Sequence, residues 1–438
     1  MICKNCSENS EEANGKEVEV FQLAMFKPKT IRQTVEPLFA MNFLFGMGIS
    51  LKKKPPRLIE YAYTVCVLIL TGTIGKLALP YYKEYYIIST YALNQVIFEI
   101  LIYADLLMIC TLAVVNRVNA QNLRTVIALV ESNDRTMEKM GLPQIYHALF
   151  VYQIKGFVFY GIFTVFFITV IYTWQFQEST AKSMKFYLTS LSYLPFPVIY
   201  ISVISFCFWV TCMKLKFCQL NQLLLSMLST SESPLYKRFL KTSNDLENKR
   251  FSSFRIVQES NGNTCKMRSV KQIHLEIIKI VKVVNDTFGV QVLLLMTISV
   301  IFTTIFLYIL YRILSLDLST NELMRELISI ICWLLIYIPC VLYVNHVCAK
   351  TITEATNMGD LVCKLYESST DKEFRAEIRN FTLQLIQNPV IFTAYGFFNL
   401  DHAFIQGVIG TITTYLVIMI QVGDISKSQP HNNTYISS

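Results

Sequence analysis

The chain has 438 residues, of which 53% are hydrophobic and only 16% charged, with a formal net charge of +8. A soluble domain usually carries nearer a quarter of charged residues. Here the apolar residues gather in long blocks, which excludes a soluble globular protein and predicts an all-α integral membrane protein. The basic excess does not indicate nucleic acid, because Lys and Arg sort by side of the membrane instead of forming one patch.

Residues 1–30 are polar and carry no short apolar signal. The mixed segment 31–49, with Phe39, Met41, Phe43, Leu44 and Phe45, is expected to form a short helix along the inner interface. Lys52, Lys53, Lys54 and Arg57 follow, and Pro55 and Pro56 break the chain. A basic cluster just before an apolar block holds that side in the cytoplasm.

Seven transmembrane helices are expected, near 59–79, 87–115, 147–173, 187–212, 287–311, 326–348 and 393–421. Of the 39 basic residues, 31 fall before span one or after spans two, four and six. Six fall beside the opposite ends, and Lys76 and Lys155 lie inside spans one and three. This asymmetry places the N-terminus in the cytoplasm and, after an odd number of spans, the C-terminus outside. A G-protein-coupled receptor, with its N-terminus outside, fits less well.

The inner connections keep helical periodicity. Leu220, Leu223, Leu224 and Met227 recur in 213–229, and Ile273, Ile277, Ile280 and Val284 in 266–285, so spans four and five extend into the cytoplasm. Residues 350–388 repeat the pattern with Leu361, Leu365, Phe374, Ile378 and Leu385. The expected division is a cytoplasmic segment 1–58, spans one to six with a ligand cleft and helical extensions (213–286) over 59–348, a cytoplasmic helical layer 349–392, a seventh span 393–421 and an outer tail 422–438.

Enzymatic chemistry is not expected, and neither is a cofactor. His147, His274, His346, His402 and His431 show no metal spacing, and no glycine loop cradles a phosphate. Cys3 and Cys6 form one CxxC without a second ligand pair. Cys66, Cys110, Cys207, Cys332 and Cys340 lie in apolar blocks, where cysteine behaves as a small hydrophobe. Asn432-Asn433-Thr434 is a glycosylation sequon in the expected outer tail, with Asn432 as acceptor.

The last span is not uniformly apolar. At helical spacing Gly407, Gly410, Thr411, Thr414, Val417, Ile418 and Gln421 form one stripe. Thr and Gln belong in a span only where that face meets protein or water, so the helix either packs in a bundle or lines a narrow aqueous path. Thr414-Tyr415, five hydrophobic residues and Gln421 resemble the C-terminal signature of the insect gustatory receptors, Thr-Tyr, five hydrophobics, Gln-Phe, with Val422 standing where the family has Phe. The resemblance implies a tetrameric cation channel, homomeric or heteromeric, whose subunits meet through the cytoplasmic layer. It also implies a ligand pocket in the outer half of spans two to six and a pore built by span seven. In such a pore, lined also by Thr414, Gln421 offers an amide oxygen to a partly dehydrated cation, and Val417 and Ile418 form a constriction that gates by dewetting.

Polar and aromatic residues in the outer halves of the spans mark the ligand cleft. Asn94 and Glu99 in span two rank first, since an interfacial belt does not call for them. Trp174, Tyr193, Tyr311, Trp333 and Tyr337 supply aromatic walls, although interfacial anchoring accounts for many such residues without a ligand. The expected function is a tastant-gated cation channel in the plasma membrane, with a bitter plant compound favoured over a sugar. The alternative is a secondary transporter using Glu99 and Asp105 as proton-coupled groups, against which the chain shows no inverted repeat.

Overall fold

The computed structural model describes residues 27–48, 57–87, 92–175, 181–232, 246–315 and 319–428. The side chains of 57, 82–87, 92–99, 174–175, 229–232, 246–261 and 423–428 lie outside that description. The helices are α1 (Ile31–Leu44), α2 (Arg57–Ile87), α3 (Ala92–Val118), α4 (Ala120–Lys139), α5 (Tyr146–Val170), α6 (Lys182–Tyr193), α7 (Pro195–Glu232), α8 (Leu246–Leu314), α9 (Thr320–Ser368), α10 (Lys372–Gln387) and α11 (His402–Ser428). Among the described residues there is no strand, only an isolated bridge between Thr393 and Asn399.

Seven helical stretches are long and apolar enough to cross a membrane: Leu58–Tyr81, Ile100–Val118, Tyr146–Thr173, Lys182–Leu228, Gly262–Leu314, Thr320–Ser368 and His402–Val422. Each expected span has its helix. The fourth is broken at Leu194, because Pro195 cannot donate to the preceding turn and instead opens α7. At 69 residues α8 is about 100 Å long, more than three times the hydrocarbon thickness, so much of it must project beyond the bilayer.

The projecting parts of α7, α8 and α9 pack with α4 and α10 into a second helical layer. Its core is Leu220 and Leu224 of α7, Ile273, Ile277 and Ile280 of α8, Val362 and Leu365 of α9, and Ile378 and Phe381 of α10, all essentially inaccessible. The periodicity that predicted these extensions is the face that is buried. One polar knot lies within the layer. Lys216 of α7 donates to Asn133 Oδ1 at 2.9 Å and pairs with Asp134, both on α4. Tyr146 donates to the other Asp134 oxygen at 2.8 Å, and Asn133 donates to Glu276 of α8 at 3.0 Å. On its surface Lys271 and Arg268 bind Glu377, both at 2.9 Å.

Helix α1 is capped by Thr30, whose hydroxyl accepts from the Gln33 amide at 3.3 Å. Its apolar face (Ile31, Val35, Leu38, Phe39) meets protein: it docks on α4, α5 and α7, Arg32 pairs with Glu131 at 2.6 Å, and Asn42 donates to Ser205 at 2.9 Å.

The seventh helix begins at His402, where 393 was expected. Residues 388–401 are held irregular by Pro389 and by left-handed backbone at Tyr395 (φ 51°) and Gly396 (φ 78°). Asp401 then caps α11, its carboxylate accepting from the Phe404 amide at 2.9 Å. This linker is pinned to α8. Asn285 donates to the Ile391 carbonyl at 2.7 Å, and a Cβ at Gly289 would stand 3.1 Å from the backbone of Tyr395.

Candidate functional site

A partly open cavity of about 100 Å³ sits between α3, the α6–α7 break, α8 and α9. Three of these helices contribute residues spaced one turn apart, the spacing that puts side chains on one face. These are Asp105 and Ile109 from α3, Phe302 and Phe306 from α8, and Ser329 and Trp333 from α9. The break supplies the fourth wall through Leu191, Ser192, Leu194 and Pro195. A continuous helix would not expose these residues as a concave corner.

The aromatic wall is ordered. Phe306 stacks on Trp333 with centroids 5.7 Å apart and 11° between planes, and Tyr337 lies near-parallel to Trp333 at 6.5 Å. Phe302 meets Tyr337 edge-on at 5.0 Å. Behind the cavity Tyr337 is fully buried, and its hydroxyl donates to Asp105 Oδ1 at 3.4 Å. A larger groove of about 460 Å³ opens sideways between α5, α7 and α9, bounded by Phe159, Tyr200, Pro339, Tyr343 and Lys155. It is exposed along Phe159, and its tyrosine hydroxyls are turned to protein partners: Tyr152 and Tyr343 bond each other at 2.7 Å, and Tyr200 donates to the Gly156 carbonyl at 2.7 Å. We take the cavity beside Trp333, where two carboxyl groups meet an aromatic wall, as the candidate ligand site.

Of the residues expected at this site, Trp333 lines the cavity and Tyr337 supports it. Tyr193 is turned away: its hydroxyl bonds that of Tyr160 at 2.8 Å, and the ring borders a small separate void beside α2. Tyr311 is half-buried near the end of α8 and outside the lining. The side chains of Asn94, Glu99 and Trp174 lie outside the described residues, as does Asn432. Asp105 and Glu326 were among the intramembrane polar residues that the sequence offered for a cleft but were not ranked as ligand contacts, and Phe302, Phe306 and Ser329 were not expected there. Asp105 carried a usable signal, an acid within a span. Phe306 carried none, being one of 30 phenylalanines.

The second candidate element is α11. One face, formed by Phe404, Val408, Thr411, Tyr415 and Met419, borders a groove of about 500 Å³ against Met296, Val300 and Thr304 of α8. Thr414, Val417, Ile418 and Gln421 are all exposed, and Thr411, although on the expected stripe, faces the groove. The Thr414 hydroxyl donates to the Gly410 carbonyl at 2.9 Å, within its own helix. No residue in the most apolar window of α11 is buried.

The fold is that of a seven-helix membrane protein with an aromatic-walled cavity between α3, α8, α9 and the α6–α7 break. Residues 38–425 match the 7tm Chemosensory receptor family, and the chain belongs to that family. Among curated relatives, Gustatory and pheromone receptor 32a of Drosophila melanogaster is 33% identical over 97 residues, 22% of this chain and 21% of that one. Gustatory receptor for bitter taste 66a of the same organism is 30% identical over 174 residues, 38% of this chain and 33% of that one. The chain thus matches about a fifth to a third of these relatives' own length. The fold is similar to that of the insect olfactory receptor OR5 from Machilis hrabei, solved in complex with eugenol. The TM-score is 0.61 at 13% identity, over 89% of this chain and 98% of that one.

Proposed function

We propose that this chain is a gustatory receptor subunit and forms a ligand-gated cation channel. Four copies, identical or related, surround a pore lined by α11, with the N-terminus cytoplasmic and the C-terminus outside. A small tastant binding in the Trp333 cavity shifts α8 or α9, and the linker 388–401 transmits that shift to α11. The ligand must bind the open state more tightly than the closed one for this to happen.

The observation that carries the reading is α11 itself: apolar enough to span a membrane, yet without a buried residue in its most apolar window. Four copies arranged around an axis would cover its flanks and leave Thr414, Val417, Ile418 and Gln421 toward the centre. A bitter plant compound is favoured over a sugar. Besides two carboxyl groups, the polar side-chain groups of the lining are the hydroxyls of Ser192 and Ser329 and the indole N–H of Trp333, and the rest of the wall is Leu, Ile, Phe and Pro, which suits a largely apolar guest better than a polyol. The partial identity to a bitter-taste receptor points the same way.

The test is whole-cell current from cells expressing the full chain, with a panel of sugars, alkaloids and glycosides, repeated with Trp333→Ala. The expected outcome is a ligand-evoked cation current that Trp333→Ala weakens at least about tenfold in ligand sensitivity, given what a buried aromatic contributes. Currents no larger than coupled turnover permits would favour the transporter reading instead.

A further inference from the structure

Both ionisable side chains lining this cavity are acidic, Asp105 and Glu326, and no lysine, arginine or histidine lines it. Among the described residues no basic side chain pairs with Asp105, whose carboxylate accepts a long hydrogen bond, 3.4 Å, from Tyr337. Arg325 approaches Glu326 at 4.0 Å, the outer limit of an ion pair, and lies outside the lining. Beside these acids stand the near-parallel rings of Phe306, Trp333 and Tyr337.

A carboxylate in an apolar site lacks the water that stabilises its charge. A cationic guest restores that stabilisation, and the attraction is stronger in a site of low dielectric than in water. The faces of Trp, Phe and Tyr attract an ammonium group as well, through the ring quadrupole. Both features select the same chemistry. The space, about 100 Å³, has the scale of an amine head group rather than of a whole drug-sized ligand.

We propose that the cavity recognises an organic ammonium, a protonated or quaternary amine whose charged head lies against Asp105 and the Trp333 and Phe306 rings. The proposal rests on the reading of this cavity as the ligand site and adds the chemical class of the ligand. Glu326 contributes negative potential at the lining, and Tyr337 positions Asp105.

The test uses an isosteric pair, choline and 3,3-dimethylbutan-1-ol, which differ in a nitrogen cation against a neutral carbon. Each is titrated to about 10 mM against the purified full-length receptor, and binding is read as the rise in thermal midpoint. Choline is expected to raise the midpoint and the alcohol to raise it far less. Asp105→Asn, which keeps the shape and the bond from Tyr337, should weaken choline about thirtyfold or more, the scale for removing one partner of a desolvated charge pair. Asp105→Glu should retain binding. Equal stabilisation by both probes, none by choline, or an Asp105→Asn variant that binds choline like the unmodified chain overturns the proposal. The isostere comparison decides the charge requirement even if Asp105→Asn does not fold.

Tastant-evoked currents separate the two levels. If Trp333→Ala abolishes a response that Asp105→Asn preserves, the cavity stands as the ligand site and the cation requirement fails. If Trp333→Ala changes no response, the site itself is misplaced, and the ammonium inference falls with it.

Discussion

The fourth and seventh spans are almost equally apolar, with mean hydropathies of 2.0 and 1.9 over their richest windows, yet 89% of the first window is buried and none of the second. Apolarity places a helix in a membrane but does not say what it faces there. In α7 the surface is covered by neighbours on all sides: Phe206, Phe208, Trp209, Val210 and Phe217 are each at most 1% exposed. In α11 only the Phe404–Tyr415 face meets another helix, and Tyr415, Val417 and Ile418 remain about half exposed. What distinguishes the two in sequence is the stripe of Gly407, Gly410, Thr414 and Gln421. These residues contribute little to a lipid-facing surface but suit close helix approach and an aqueous path.

The sharpest way to break the contrast is to attack α7 where its burial is polar. Lys216 is almost inaccessible and holds Asn133 and Asp134. Lys216→Met leaves Asp134 buried without its counter-charge, an expected loss of about 3–5 kcal/mol. Heating the full-length protein in detergent and following the assembled peak by size-exclusion chromatography should show a large fall in midpoint. Adding Asp134→Asn should recover much of it, since two neutral partners need no pairing. A fall equivalent to less than about 1 kcal/mol would mean that the knot is solvated in the functional assembly.

On α11 the expected effects move from stability to conduction. Val417→Ser with Ile418→Ser alters two exposed positions, so the folded chain should survive at the surface in ordinary amounts. If these residues form a dewetted gate, the polar pair wets it and produces a standing current without ligand, read as holding current blocked by a pore-occluding cation. An unchanged baseline would move the gate elsewhere on α11. Gln421→Ala is smaller again: conduction persists, but the relative permeability of sodium, potassium and calcium shifts because one amide ligand is lost from the path. Unaltered ratios would leave the channel and remove Gln421 from it.

How far these regions were legible follows from the range of the interactions that build them. Elements made by local pattern could be read directly. Examples are the apolar periodicity of 213–229 and 266–285 and the Thr414-Tyr415 signature. The start of α11 was misread by nine residues, because Thr393 to Leu400 look apolar enough to join a span while backbone geometry at Tyr395 and Gly396 and the Asp401 cap stop them doing so. The cavity was half legible. Trp333 and Tyr337 are one turn apart and could be paired on one face. Their partners Asp105 and Phe306 come from other helices, Asp105 lying 232 residues before Tyr337, and only the packing of α3 against α8 and α9 decides who meets whom. Tyr193 shows the converse: an aromatic in the right place along the chain, turned away by a hydroxyl contact with Tyr160.

The smallest effect tests whether the helical layer beyond the membrane depends on its surface charges as weakly as its packing implies. Lys271 and Arg268 hold the Glu377 carboxyl below its ordinary value of 4.5, through hydrogen bonds first and charge second. A lowered folded-state value means that the pair contributes stability above that ordinary value, and that the contribution is lost as pH falls through the folded value. The unmodified chain should therefore melt slightly above Glu377→Gln at pH 7, by about 1 °C, since exposed pairs contribute little. The gap should close on acidification below the carboxylate range and shrink in high salt at pH 7. A gap that grows on acidification would reverse the sign argued here. A gap of several degrees at pH 7 would mean that Glu377 is covered in the assembly. In that case α10 belongs to a subunit contact, and the layer's exposed face would join α11 as surface that other copies cover.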